Sequence, residues 1–293
     1  MENFVNLVIS GVLLGTFYMV MAYGLALIYG VMNVINLAHA GTIMLGAYTT
    51  FQLTRWFDMD PVVSLVVVIP FFFFIGVFLQ KSLVQRVLGL PMVNSLLLLF
   101  GVWLIMKFVG YAVWTGDNQS ITTSYTLKTF SLGAFLVSYP RIIIFIVSIV
   151  VTVALQYFLN RTYVGRAIRC MAQERDAASL AGINTEKIAL ITFGLGTALA
   201  AIGGTLGTLI YSFTPDFGGD YMLKSFVIIV LGGVENILGI AMGALALSLV
   251  ETFSGYIKPE LQEMVGFLML VIILALRPTR LARFIPGLGG GRR

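Results

Sequence analysis

The sequence is short of charge. Only 11% of its 293 residues are charged and 59% are hydrophobic, against about 25% charged in a soluble domain. So little polar surface excludes a chain that stays in water by itself. There is one cysteine, Cys170, which excludes an internal disulfide. There is one histidine, His39, and no second ligand sits near it to build a metal site. No basic run with interleaved aromatic residues suggests nucleic acid, although the net charge is +5. The phosphate-cradling pattern Gly-x-x-x-x-Gly-Lys-Ser/Thr is absent, as are His-Glu-x-x-His and Gly-x-Ser-x-Gly. No paired carboxylates form a convincing catalytic site, which leaves a membrane enzyme the weakest class. The stretch after Met1-Glu2-Asn3 has neither a basic lead nor a small-residue cleavage site. It therefore reads as a retained helix rather than a signal peptide, and no lipidation motif marks either end.

What is there is a series of apolar runs of bilayer-spanning length. Ten crossings are expected: 4–20, 23–31, 43–53, 61–80, 93–113, 139–159, 188–211, 223–231, 237–253 and 261–276. Two of them, 23–31 and 223–231, are short. The fold class is thus all-α, polytopic, with about eight full transmembrane helices and two short broken ones. One transmembrane domain is expected over residues 1–285, with a flexible tail at 286–293. The loop Thr115–Ser138 alternates apolar and polar residues and reads as a small β-hairpin or an irregular cap. With both termini cytoplasmic, twelve cations fall inside: Lys81, Arg86, Arg161, Arg166, Arg169, Arg175, Lys187 and the five arginines from Arg277 onward. Four fall outside: Arg55, Lys128, Arg141 and Lys258. That asymmetry supports the orientation, provided that both short segments cross.

Two halves look alike, at about 4–91 and 186–277. Val34-Ile35-Asn36-Leu37-Ala38 with Gly46-Ala47 resembles Val234-Glu235-Asn236-Ile237-Leu238 with Gly243-Ala244. Matching interrupted segments in two halves point to a transport pathway. The pathway and gating candidates are therefore Asn36, His39, Gly232, Gly233, Glu235 and Asn236. Asn36 and Asn236 satisfy backbone groups where helices break or touch substrate; His39 is a structural hydrogen-bonded residue or a gating contact. Glu235 and Glu251 are the acidic residues nearest the membrane interior and are functional candidates on that ground. Gly194, Gly196, Gly203, Gly204 and Gly207 crowd one helix, for close helix packing or to line a pore or subunit interface.

The longest polar stretch on the expected cytoplasmic side is 161–187. Ala177, Leu180 and Ala181 make an apolar stripe at helical spacing. Gly182 stops the helix as a C-cap, and Asn184 or Thr185 caps the next. So small a stripe suits a groove on another protein.

Asp176-Ala177-Ala178-Ser179-Leu180-Ala181-Gly182 resembles the Glu-Ala-Ala-x-x-x-Gly signature of ABC importer permeases, with Asp in place of Glu. The wider run Met171–Thr185 is similar to the form in branched-chain amino-acid permeases. So are Asn33–His39, Met44–Tyr48, Val230–Gly233 and the Arg277-Pro278-Thr279 ending. The resemblance spans about 14–280 and looks closest to the first, H-type, of the two permeases of such importers. One departure is Ala40-Gly41 after His39, where the family more often has Gly at once. The resemblance implies a coupling segment of Ala172, Glu174, Asp176, Ala177, Ala178, Leu180, Ala181 and Gly182 that docks on an ATPase. It implies a second permease subunit or a second copy, two ATPases holding ATP and Mg, and a periplasmic binding protein, all in a bacterial inner membrane. It implies no catalysis or bound cofactor in this chain. Branched-chain or other neutral amino acids are the implied substrates; relatives also carry urea, short amides and aromatic acids. A solitary carrier or channel remains the alternative from another class.

Overall fold

The computed structural model describes residues 2–132, 135–234 and 236–276. Its elements are α1 (Glu2–Met32), α2 (Ala38–Phe57), α3 (Pro61–Ser82), a 3-10 turn (Val84–Arg86), α4 (Met92–Trp114), β1 (Thr129–Leu132) and β2 (Phe135–Ser138). There follow α5 (Tyr139–Arg161), α6 (Tyr163–Gln173), α7 (Arg175–Leu180), α8 (Thr185–Gly207), α9 (Phe217–Gly232), α10 (Ile237–Ile257) and α11 (Pro259–Leu276). Six helices among the described residues, α1, α3, α4, α5, α8 and α10, are long and apolar enough to cross a membrane. The sequence suggested eight full crossings and two short ones.

Part of that difference lies in α1. The runs 4–20 and 23–31 are a single helix of 31 residues. Only Met21 and Ala22 separate them, both good helix formers, and α8 packs closely beside the join. Gly24 and Gly196 come so close that a Cβ on Gly196 would lie 2.6 Å from the Gly24 carbonyl oxygen. One crossing fewer moves the amino end. Phe4 lies 5.5 Å from Phe253 near the end of α10. α11 then turns back along α10, with Gly266 beside Leu247. The start of α1 and the end of α11 therefore lie at opposite ends of the bundle, which corrects the expectation of both termini on one side. The loop cations keep their partition, because the fusion shifts only what precedes α1. The tail and Arg277-Pro278-Thr279 lie outside the described residues.

The hairpin reading holds. β1 and β2 pair antiparallel, Thr129 opposite Ser138 and Leu132 opposite Phe135. They cap one end of the bundle, where Arg141 at the start of α5 also reaches Ser10 Oγ of α1 at 3.5 Å. The α6–α7 segment lies at the other end.

α2 and α9 begin inside the bundle. Asn33 sits in the left-handed region at φ 52°, which asparagine tolerates better than most residues, and ends α1. The chain then doubles back through 33–37 and α2 starts at Ala38. The expected break ran on to Gly41; His39, Ala40 and Gly41 are instead its first turn. His39 Nε2 lies 3.1 Å from the Met21 carbonyl oxygen, about three turns short of the end of α1. From the other direction, Gly218 in the first turn of α9 abuts the Ala40 carbonyl so closely that no Cβ would fit. The helical starts of α2 and α9 thus meet within the bundle.

α8 is the axis of the fold. Its glycines answer the choice between packing and lining: Gly204 rests on the Ile43 carbonyl, Gly194 on Phe73 and Gly207 on Phe217. In lipid, such close approach is what holds helices together.

Candidate coupling and pathway sites

The polar segment between α5 and α8 folds as two helices, where the sequence suggested one. Thr162 Oγ1 accepts from Gly165 N at 2.9 Å and starts α6. Ala167, Ile168 and Met171 of α6 are buried, spaced to make one face. Glu174 is extended at φ −155° and separates α6 from α7.

α7 ends in a Schellman motif. Gly182 N–H donates to Ser179 O at 3.0 Å and Ile183 N–H to Ala178 O at 3.1 Å. The motif needs a left-handed residue, and Gly182 supplies it at φ +82°. Asn184 Oδ1 then accepts from Lys187 N at 2.9 Å and caps α8. Of the apolar side chains on α7, Ala178 faces inward. Ala177, Leu180 and Ala181 face outward, with Leu180 91% exposed. Glu174 and Asp176 are exposed beside them. An almost bare leucine on a short helix, closed by its own Schellman motif and followed at once by the cap of α8, is a surface held in shape for contact.

The pathway candidates fall into two places. Asn36 and His39 are buried against α1. Asn36 accepts through its backbone oxygen from His39 N at 3.2 Å, while Asn36 Oδ1 and His39 Nδ1 have no partner among the described residues. Gly232 ends α9 against the Gly239 carbonyl, and Gly233 closes the helix at φ +85°. Asn236 caps α10, its Oδ1 accepting from Leu238 N at 3.0 Å. Asn236 and Ala172 help to line a cavity of about 180 Å³ between α1, α5, α6 and α10, together with Arg169. Asn36 and His39 do not reach it. Glu235 lies outside the described residues.

Two charged clusters tie helices together. Lys107 and Tyr111 of α4 both donate to Asp216, ahead of α9. Burial opposes ionisation of Asp216, but the hydrogen bonds from Lys107 and Tyr111 and the charge of Lys107 outweigh it. Its carboxyl therefore lies below the usual 3.8. In the second, Tyr18 of α1 donates to Glu251 Oε2 of α10 at 2.7 Å, and Lys224 of α9 donates to the same oxygen at 3.1 Å.

Residues 7–274 match the family described as branched-chain amino acid transport system / permease component. The chain belongs to this family. Among curated relatives, the high-affinity branched-chain amino acid transport system permease protein LivH of Escherichia coli (strain K12) is 28% identical over 294 residues, covering 94% of each chain. The corresponding protein BraD of Pseudomonas aeruginosa is 28% identical over 291 residues, covering 94% of this chain and 95% of its own. The ribose import permease protein RbsC of Escherichia coli (strain K12) is 29% identical over 182 residues, covering 59% of this chain and 53% of its own. No solved structure matches the chain. The protein is thus a non-catalytic, multi-pass permease subunit of an ABC importer, whose ATP hydrolysis is done by partner ATPases.

For the permease, sequence reasoning singled out Glu251 but not its partners. Lys224 and Tyr18 stand far from it along the chain. The available signal was Lys224 and Glu251 themselves, charges set within apolar runs, each of which in a membrane asks for a partner.

Proposed function

We propose that the permease carries branched-chain or other neutral amino acids across a bacterial inner membrane by alternating access. The observation that carries this reading is coverage: the likeness to LivH runs over 94% of both chains, whereas that to the ribose permease stops near half of its length. The α6–α7 segment is the docking point for the ATPases, with Leu180, Ala177 and Ala181 as its contact face and Glu174 and Asp176 at its rim. The cation-rich end of the bundle, which carries this segment, faces the cytoplasm. The hairpin end then faces the periplasm and receives the binding protein. A second permease subunit, or a second copy, completes the pathway. ATP binding drives the switch only through differential affinity for the two states, and the docked α7 is where that difference is delivered. Asn36, His39, Gly232, Gly233 and Asn236 mark the ends of the broken helices that move, and Glu235 is a candidate for the same role from its sequence alone.

The test is reconstitution of the permease with the subunits that co-purify with it, followed by uptake of radiolabelled leucine, isoleucine and valine, with ribose and urea in parallel. ATP-dependent uptake of the amino acids alone is expected. Uptake of ribose or urea in their place refutes the substrate reading and keeps the importer. Activity of the lone chain without ATPases refutes the docking role.

A further inference from the structure

Most buried hydroxyls of the bundle close on their own helix, as Thr42 does on Ala38 O, Thr192 on Ile188 O and Thr197 on Phe193 O. Glu251 does not. It is fully buried, and its Oε1 meets no donor among the described residues. Its Oε2 is shared by Tyr18 at 2.7 Å and Lys224 at 3.1 Å, and Lys224 Nζ also lies 2.9 Å from Tyr18 Oη. The Lys224 ammonium stands over the rings of Tyr18 at 5.0 Å and Tyr221 at 5.9 Å.

This is a poor way merely to pin helices. A carboxylate offers about four acceptor positions, and half of this one is left unused. A buried ion pair is seldom more stabilising than apolar side chains of the same volume. Gly266 of α11 closes over this oxygen: a Cβ there would come to 3.1 Å from Oε1, so only the bare glycine backbone stands beside the unpaired side of the carboxylate. Thr252 and Tyr211 line a cavity of about 180 Å³ that also holds Arg141 and Gln262. Tyr211 is within electrostatic reach of both Arg141 and Glu251. Through Tyr211 the cavity adjoins a set of ring contacts in which Phe17 and Phe217 join Tyr18 and Tyr221.

We propose that Lys224 and Glu251 grip the substrate zwitterion within the membrane. As α1, α9 and α10 part, the Lys224 ammonium takes the α-carboxylate and Glu251 takes the α-ammonium, first through the free Oε1. The aromatic set receives the apolar side chain. The charges balance: an ion pair opens, a zwitterion enters with one charge of each sign, and no charge is left alone in low dielectric. A sugar or urea would leave both ions uncompensated. The inference rests on the amino-acid reading above and deepens it.

The experiment uses the full complex in proteoliposomes and three readouts: monodisperse assembly, ATPase stimulation by the loaded binding protein, and leucine uptake. Lys224→Met or Glu251→Gln alone leaves a buried charge unpaired and is expected to damage all three. Lys224→Met combined with Glu251→Gln restores assembly and ATPase stimulation but leaves uptake about 100-fold down, since two charge-assisted contacts are lost. Uptake by this paired variant at the wild-type rate overturns the proposal and makes the pair a structural pin. Should the paired variant not assemble, Lys224→Arg and Glu251→Asp keep the charges and move them. A raised KM for leucine is then expected, and an unchanged KM overturns the proposal. If the wild-type complex takes up no amino acid at all, it is the substrate reading that fails.

Discussion

Leu180 gives the sharpest test of how the permease meets its ATPases. It is 91% exposed, so Leu180→Ala removes no internal contact and should leave the free chain within about 0.5 kcal/mol of its original stability. If α7 inserts into a groove of the ATPase, that side chain goes from bare to buried. Burying a leucine contributes about 2 kcal/mol, which corresponds to a ~30-fold weaker association on truncation. The assay is a titration of purified ATPase onto the permease in nanodiscs, followed by ATP-driven uptake at limiting ATPase. Weaker binding, partly recovered at high ATPase concentration, is expected. Two neighbours frame the result. Ala177→Glu, on the exposed side, should impair docking without harming insertion. Ala178→Glu, only 4% exposed, should destabilise the α6–α7 segment itself. Unchanged ATPase affinity in Leu180→Ala, with the protein folded, refutes the assignment of α7 as the docking face.

Gly182→Val forces a β-branched residue into φ +82°, costing about 1–2 kcal/mol; uptake should fall while Gly182→Asn retains more, and equal uptake by the two variants counts against the left-handed cap. Gly204→Leu drives a side chain into the Ile43 backbone, whereas Gly101 meets nothing within 4 Å. The first should lower thermal stability in detergent by about 3 kcal/mol and Gly101→Leu should not; similar melting curves would remove the argument for α8 as the packed axis. The Asp216 carboxyl is held below 3.8, so its contribution is present above that pH and is lost as pH falls through its lower folded-state value. The melting difference between wild type and Asp216→Asn should therefore be constant at neutral pH and shrink only in strong acid; a difference that vanishes near pH 6 would show that the Lys107 contact does not govern it.

The class, most of the helices and the nature of the α7 end are legible in the amino-acid order alone. Long apolar runs admit no other solvent than lipid, Gly182 and Asn184 are local signals read within one turn, and Asp176–Gly182 is a contiguous motif. Sequence reasoning misjudged α1, because short-range hydropathy cannot tell a continuous helix from two when the join is supported from outside, by α8 where Gly24 meets Gly196 and by His39 of α2 at the Met21 carbonyl. From that one join follows the side on which the chain begins. Three-dimensional packing is what starts α2 and α9 inside the bundle, where Ala40 and Gly218 touch. It alone brought Tyr18, Lys224 and Glu251 together from three helices. Charges distant along the chain find one another through packing, and packing is set by which glycines let which helices close, a property of pairs of surfaces that no single stretch of sequence carries.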